Sequence, residues 1–163
     1  MVFGIEFFSN EKRGIMQIFD ELDLQILKIL AENSRLSVRK IAEKAGKSAA
    51  TVQNRILGLE KSGAIKKYSA FIDYDVLGFE LQAIIWIDVA KGKLFEVEKK
   101  IASHPNVCAV YDVTGPSDVI VIARFKAKKT LDSFLKKIQA FDFVNKTETV
   151  IILNTIKEEN VRF

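Results

Sequence analysis

The sequence predicts an α+β protein in two parts, three short helices followed by a βαββαβ unit, and three observations carry that prediction. Apolar residues recur at helical spacing from about Asp20 to Ser62, then alternate between strand and helix periods from about Leu81 onward. Glycines and a proline fall between the periodic runs, at Gly46, Gly63, Gly78 and in "GPSD". Apolar residues make up 48% of the 163, enough for buried cores and against global disorder.

Each helix of the first part follows from its residues. In "DELDLQILKILAEN", Leu22, Ile26, Ile29 and Leu30 share one face. Asp20 is the expected N-cap, and Asp23 sits in the first turn, where a carboxylate meets the positive end of the helix dipole. "SVRKIAEKAG" is expected to start at Ser37, to bury Val38, Ile41, Ala42 and Ala45, and to stop at Gly46. "SAATVQNRILGLEKSG" starts at Ser48, carries Val52, Ile56 and Leu59 on one stripe, and stops at Gly63. Helices this short are not stable alone, so the three stripes must meet in one small core. Ala42 is small where the second and third helices cross, Gly46 lies four residues later in the turn, and Val52 pins the pair. That is the spacing of a helix-turn-helix domain, winged-helix-like in class, with the outer face of its third helix left free.

The segment "AIKKYSAFIDYDVLG" mixes β-formers with charge and reads as an extended bridge ending near Gly78. A strand is then expected over Leu81–Val89 and a helix over Leu94–Ser103, stopped by "HPN". Strands Val107–Thr114 and Val119–Lys126 are joined by "GPSD", a hairpin signal. A helix over Leu131–Phe141 and a strand over about Val144–Ile156 complete the order βαββαβ of a ferredoxin-like domain. The chain thus divides into an N-terminal extension (1–19), a helix-turn-helix domain (20–66), an extended linker (67–79), the βαββαβ domain (80–158) and a C-terminal tail (159–163).

Two helices cover only one face of such a sheet. With Leu81, Ala83, Ile85, Ile87, Val119, Val121, Ala123 and Phe125 facing them, the opposite face is expected to hold Ile84, Trp86, Ile120, Ile122, Ile151 and Leu153. A sheet face open to water alternates with polar residues there, and this one does not. A second copy of the same sheet is the simplest cover, which predicts a homodimer; the linker and the N-terminal domain are the alternative.

Charge is uneven. The net charge is +4, yet Arg35 to Ala70 alone holds nine Lys/Arg against two acids, Glu43 and Glu60, a local balance of +7. A polyanion-binding surface leaves that footprint, although a solvated helix pair shares it. The free face of the third helix offers Ser48, Ala50, Thr51, Gln53 and Asn54, with Leu57 at its edge. Gln and Asn pair with the edge of adenine, hydroxyls adapt, and Ala or a Thr methyl touches the thymine methyl. Arg39, Lys40, Lys44, Lys47, Lys66 and Lys67 surround that face as expected phosphate contacts, which position the protein without specifying sequence. Double-stranded DNA is the expected partner.

Several function classes are excluded or demoted. The single Cys108 leaves no internal disulfide and no Cys-based zinc site, and suits a reducing cytoplasm. The longest apolar runs, "AIIWI" and "VIVIA", are far short of the roughly 20 residues a membrane span needs, and "MVFGIEFF" does not read as a secretion signal. Catalysis is not expected: His104 is the only histidine and sits in a helix stop, Arg124 lies in a strand without a Gly-rich loop, and no nucleophile meets a base. No metal or cofactor is expected. An architectural DNA-binding protein of low sequence specificity shares the basic half and is the competing reading.

The residues Leu22-Asp23, Ile26-Leu27, Leu36-Ser37, Ile41-Ala42, Ser48, Val52, Arg55-Ile56, Leu59-Glu60, Gly63, Ile65 and Leu77-Gly78 follow the N-terminal pattern of a known family. Over about residues 20–158 the chain resembles the Lrp/AsnC, or feast/famine, transcription regulators, and "VYDVTGPSDVIV" is similar to the hairpin of their ligand-sensing domain. The resemblance implies a sequence-specific transcriptional regulator that dimerises through the βαββαβ domains, often assembles into octamers, and binds small effectors, usually amino acids, near the second hairpin. By matching position it makes Thr114, Gly115 and Asp118 candidate effector contacts, with Thr149 on the last strand a further one. Physically, the amides of a Gly-containing hairpin and a carboxylate suit an amino acid's two charges. Equally, Asp118 would satisfy turn amides and Gly115 permit a positive φ. Two departures stand out. Leu57-Gly58 replaces the cation the family often carries before "LE", and "MVFGIEFFSNEKRGI" precedes Met16, itself a typical opening for the family and an alternative start.

Overall fold

The computed structural model describes residues 19–159; the expected N-terminal extension up to residue 18, with Met16, and the tail beyond 159 lie outside the described residues. The chain separates into two compact units, with the division falling between Ala70 and Phe71.

The first unit contains α1 (Glu21–Glu32), α2 (Val38–Ala45) and α3 (Ala49–Lys61). Each helix begins where a short polar side chain replaces an unmade backbone bond. Asp20 accepts from the Asp23 amide while Asp23 reaches back to the Asp20 amide, a full capping box. Ser37 and Ser48 cap α2 and α3 through the amides of Lys40 and Thr51. Gly46 closes α2 at φ 63°, a left-handed position where a side chain would be strained. The core is one cluster, Ile26, Ile41, Ala42, Val52, Ile56 and Leu59, with Leu22, Ile29, Leu30 and Val38 packed around it. Gly58 lies inside α3 with open space where a Cβ would stand, so no close backbone approach explains it. Beyond α3, residues 66–73 form neither helix nor strand. Tyr68 donates to Glu60 at 2.8 Å, and burial followed by that bond pushes its phenol up to about 12.

The second unit runs β1 (Leu81–Val89), α4 (Leu94–Ala102), β2 (Val107–Asp112), β3 (Val119–Phe125), α5 (Lys128–Gln139) and β4 (Val144–Ile152). The sheet order is β2-β3-β1-β4, with antiparallel neighbours throughout, the ferredoxin-like arrangement. Ala83, Ile85, Ile87, Val119, Val121, Ala123 and Phe125 face the helices and meet Val97, Ile101, Leu131, Phe134 and Ile138 in the core. The expected boundaries shift at several ends: β2 stops at Asp112 rather than Thr114, α5 at Gln139 rather than Phe141, and α4 and β3 one residue early. The larger shifts are at the start of α5 and the end of β4. Helix α5 starts at Lys128, because its first turn is polar and leaves no apolar periodicity to read. Strand β4 stops at Ile152.

The register corrects the composition of the outer face. Ile151 pairs with Ala83, so it lies on the helix side, and Leu153 lies beyond the strand. The run Val150-Ile151-Ile152-Leu153 is unbroken apolar and carries no alternation from which to read a phase. A bulge decides it: Val89 pairs with Val144 but Asp88 with Lys146, so one extra residue, Asn145, reverses the facing of everything after it. The outer face therefore holds Ile84, Trp86, Ile120 and Ile122 at its centre, flanked by Ala109, Tyr111, Val150 and Ile152. Its Gln82–Arg124 end is covered. The guanidinium of Arg124 lies 5.1 Å from the Tyr74 ring and 2.9 Å from Glu158, while Lys126 sits over Phe79. Among the described residues of this unit, Tyr74, Phe79 and Glu158 cover that end, while Tyr111 and Val150 remain about half exposed.

Candidate nucleic-acid interface and ligand hairpin

The buried stripe of α3 fixes which side of it looks outward. Val52, Ile56 and Leu59 are spent on the core, which leaves Ser48, Ala50, Thr51, Gln53 and Asn54 exposed along one side. Two of these have a structural task already: Ser48 Oγ accepts from the Thr51 amide at 3.1 Å and lies 2.8 Å from Thr51 Oγ1. Among the described residues, Gln53 and Asn54 hold no side-chain hydrogen bond, so their amides are available. Arg39, Lys40, Lys44, Lys47, Lys66 and Lys67 are all exposed. The N-terminus of α3 is itself an anion-attracting end, because its first amides point outward.

Arg55, in the middle of α3, is held by α1 instead: Nη1 lies 2.7 Å from Asp20 Oδ2 and 3.2 Å from both Asp23 oxygens. Sequence reading does not find this clamp, since 32 residues separate Arg55 from Asp23.

The hairpin between β2 and β3 is built around Asp118. Its Oδ2 accepts from the Val89 amide at 2.7 Å, its own amide donates to Ile87 O, and its carbonyl accepts from Val113. The carboxylate therefore ties the hairpin to the bulged end of β1, the turn-satisfying role. Gly115 adopts φ 138°, a backbone that favours glycine, and Thr114 is exposed beside it. Thr149 does not join them on the outer face: it pairs with Ile85 and faces the helices.

Next to the hairpin, on the outer face, lies a hollow of about 350 Å³ lined by Trp86, Asp88, Pro116, Ser117, Lys146 and Glu148. Lys146 pairs with Glu148, and that hydrogen bond first, with Asp88 adding to it, holds its ammonium above the usual lysine range. Two carboxylates, one ammonium and an indole thus converge beside a loop. The sequence contains these residues but not their meeting, which depends on the register of β1 against β4. Among the described residues no cluster of His, Cys, Asp and Glu suits a metal, and no helix is long and apolar enough to cross a membrane.

A helix-turn-helix unit with an exposed polar helix face, followed by a ferredoxin-like domain with a hollow beside its hairpin, is the build of a DNA-binding regulator with a ligand-binding domain. Comparison with known families matches residues 19–60 to the AsnC-type helix-turn-helix domain and residues 82–162 to the Lrp/AsnC ligand binding domain. An HTH-type transcriptional regulator of Pyrococcus furiosus is 43% identical over 140 residues, 86% of this chain and 95% of that one. The structure of B. subtilis LrpC superimposes with a TM-score of 0.78 at 25% identity, covering 87% of this chain and 99% of that one. A Neisseria meningitidis regulator, solved as its L-Met complex, shares the fold with a TM-score of 0.81 at 24% identity, over 87% and 94% of the two chains. The chain belongs to the Lrp/AsnC family of transcriptional regulators.

Proposed function

We propose that the protein is a sequence-specific regulator that reads the major groove with α3 and responds to a small zwitterion, an amino acid, held beside the β2–β3 hairpin. The observation that carries the DNA half is the exposed, unpaired amide pair Gln53–Asn54 on a helix whose other side is wholly committed to the core. Ala50 and the Ser48–Thr51 hydroxyl pair complete the base-facing surface, and Arg39, Lys40, Lys47, Lys66 and Lys67 grip phosphates around it. Replacing Gln53 or Asn54 with Ala is expected to cost about 1–3 kcal/mol at particular bases, whereas Lys47→Ala weakens all sequences alike and lowers the salt slope by about one. Binding of operator and random fragments across a salt series checks this. Equal affinity for every fragment would leave only a low-specificity architectural role.

For the effector half, Asp88 and Glu148 suit an ammonium, Lys146 a carboxylate, and Trp86 an apolar side chain, with Thr114 and Gly115 in the same hairpin as the lining residues Pro116 and Ser117. Asp118 acts there by shaping the hairpin, whereas Thr149, on the helix side of the sheet, takes no part in this hollow. A thermal-shift series with each amino acid is expected to raise the midpoint of the sheet domain for one or a few of them, since a ligand at 100 times its Kd adds about 2.7 kcal/mol. Asp88→Asn removes the shift. No response to any amino acid would refute the effector assignment. The functional unit is a homodimer joined through the outer sheet face, able to assemble further, and it works on DNA in the cytoplasm.

A further inference from the structure

A cation on a groove-reading helix invites assignment to a DNA phosphate. The guanidinium of Arg55 is engaged elsewhere. The two carboxylates it meets, Asp20 and Asp23, are the same pair that caps α1, joined by Asp23 N to Asp20 Oδ1 at 2.9 Å and Asp20 N to Asp23 Oδ2 at 3.2 Å. One carboxylate pair therefore closes the N-terminus of α1 and grips the flank of α3. Asp23 is only 8% exposed, and a carboxylate so shielded from water is costly unless it is paired and hydrogen-bonded. Asp20 is held below the usual carboxylate range by the Asp23 amide and also by Arg55, and Asp20 in turn holds Arg55 above its ordinary value.

What this adds to the core is resistance to rolling. Val52, Ile56 and Leu59 keep α3 from leaving the domain, yet aliphatic contacts are non-directional and tolerate rotation about the helix axis. A planar guanidinium spanning two carboxylates does not. Arg55 directly follows Gln53 and Asn54, so a roll at Arg55 re-aims both amides. We propose that Arg55 is a positioning residue for base readout: by clasping the cap of α1 it fixes the rotation of α3, and it takes no DNA phosphate. The inference rests on α3 being the reading helix.

The test compares full-length wild type, Asp20→Ser, Arg55→Gln and Lys47→Ala in binding to a selected fragment and to random DNA across salt. Serine still caps α1, so Asp20→Ser removes the shortest ion contact while the fold is kept, even where Arg55→Gln, which strands Asp23, fails to fold. The expected result is a fall of about tenfold in the specific-to-random ratio for Asp20→Ser, the discrimination one misaligned base contact carries, with the salt slope unchanged. Lys47→Ala lowers the slope by about 0.9. A slope that falls by the same amount in Arg55→Gln, or tighter random binding in Asp20→Ser, marks Arg55 as a phosphate ligand and overturns the proposal. So does an unchanged ratio in folded Asp20→Ser, which leaves the clamp purely structural. A wild-type ratio of one overturns it together with the specific-reader assignment, whereas failure of the Arg55 arms alone leaves that assignment standing.

Discussion

Ile122→Lys is expected to yield a folded monomer where the wild type sediments as a dimer at micromolar concentration. Ile122 pairs with Ile84 on one side and Ala109 on the other, so it sits at the centre of the outer sheet face, among Trp86, Ile120 and Tyr111. In the isolated sheet domain this face meets water, and a lysine there keeps its hydration, so the fold loses little. In a dimer packed through this face the ammonium would be buried without a partner, at a cost of several kcal/mol. About 3 kcal/mol weakens association by more than a hundredfold. Within the sheet unit, Tyr74 of the linker turn and Glu158 stand at the Arg124 end of this face, away from Ile122 and Ile120. Sedimentation or light scattering, with circular dichroism as the control for folding, decides the matter. A persistent dimer would place the interface elsewhere and leave this apolar face without a cover.

How far the sequence discloses this molecule depends on whether a feature is local. Caps are local, and Asp20, Ser37, Ser48 and Gly46 stand where their chemistry demands. Strand β1 is legible because its faces alternate between core and outer surface, and the inward sets on β1 and β3 follow from period two. Feature by feature, legibility fails where pairing partners are distant. The facing of β4 turns on one bulged residue, Asn145, within a strand whose end is apolar at every position. The hollow beside the hairpin needs Asp88 opposite Lys146, and Arg55 needs the far end of α1; neither juxtaposition has a signature within any window of the sequence. Asp118 shows the mixed case. Its presence in the hairpin is legible, but its attachment to the Val89 amide requires knowing where β1 ends.

Ile26→Ala is expected to unfold the helical unit at a temperature where the sheet unit stays intact, abolishing DNA binding while leaving the hairpin site formed. Ile26 is fully buried and joins α1 to both other helices through the cluster with Ile41, Val52 and Ile56. Truncating such a residue to Ala costs about 2–5 kcal/mol through lost burial and the cavity left behind. The helical unit has little stability to lose. Its helices of 12, 8 and 13 residues are marginal individually, and a domain of this size buries a smaller share of its surface than a larger one. The sheet unit has its own core, built on Ile85, Val121, Phe125 and Phe134, and among the described residues the two core clusters have no member in common. A built-in probe separates the two. Trp86 is the only tryptophan and lies on β1, so its fluorescence reports the sheet unit, whereas the far-ultraviolet helical signal draws on both. In the Ile26→Ala protein the helical signal should lose amplitude early while the tryptophan transition stays at its wild-type midpoint. Coincident transitions that shift together would mean that the two units unfold as one cooperative body, and that DNA reading and ligand sensing share a single stability.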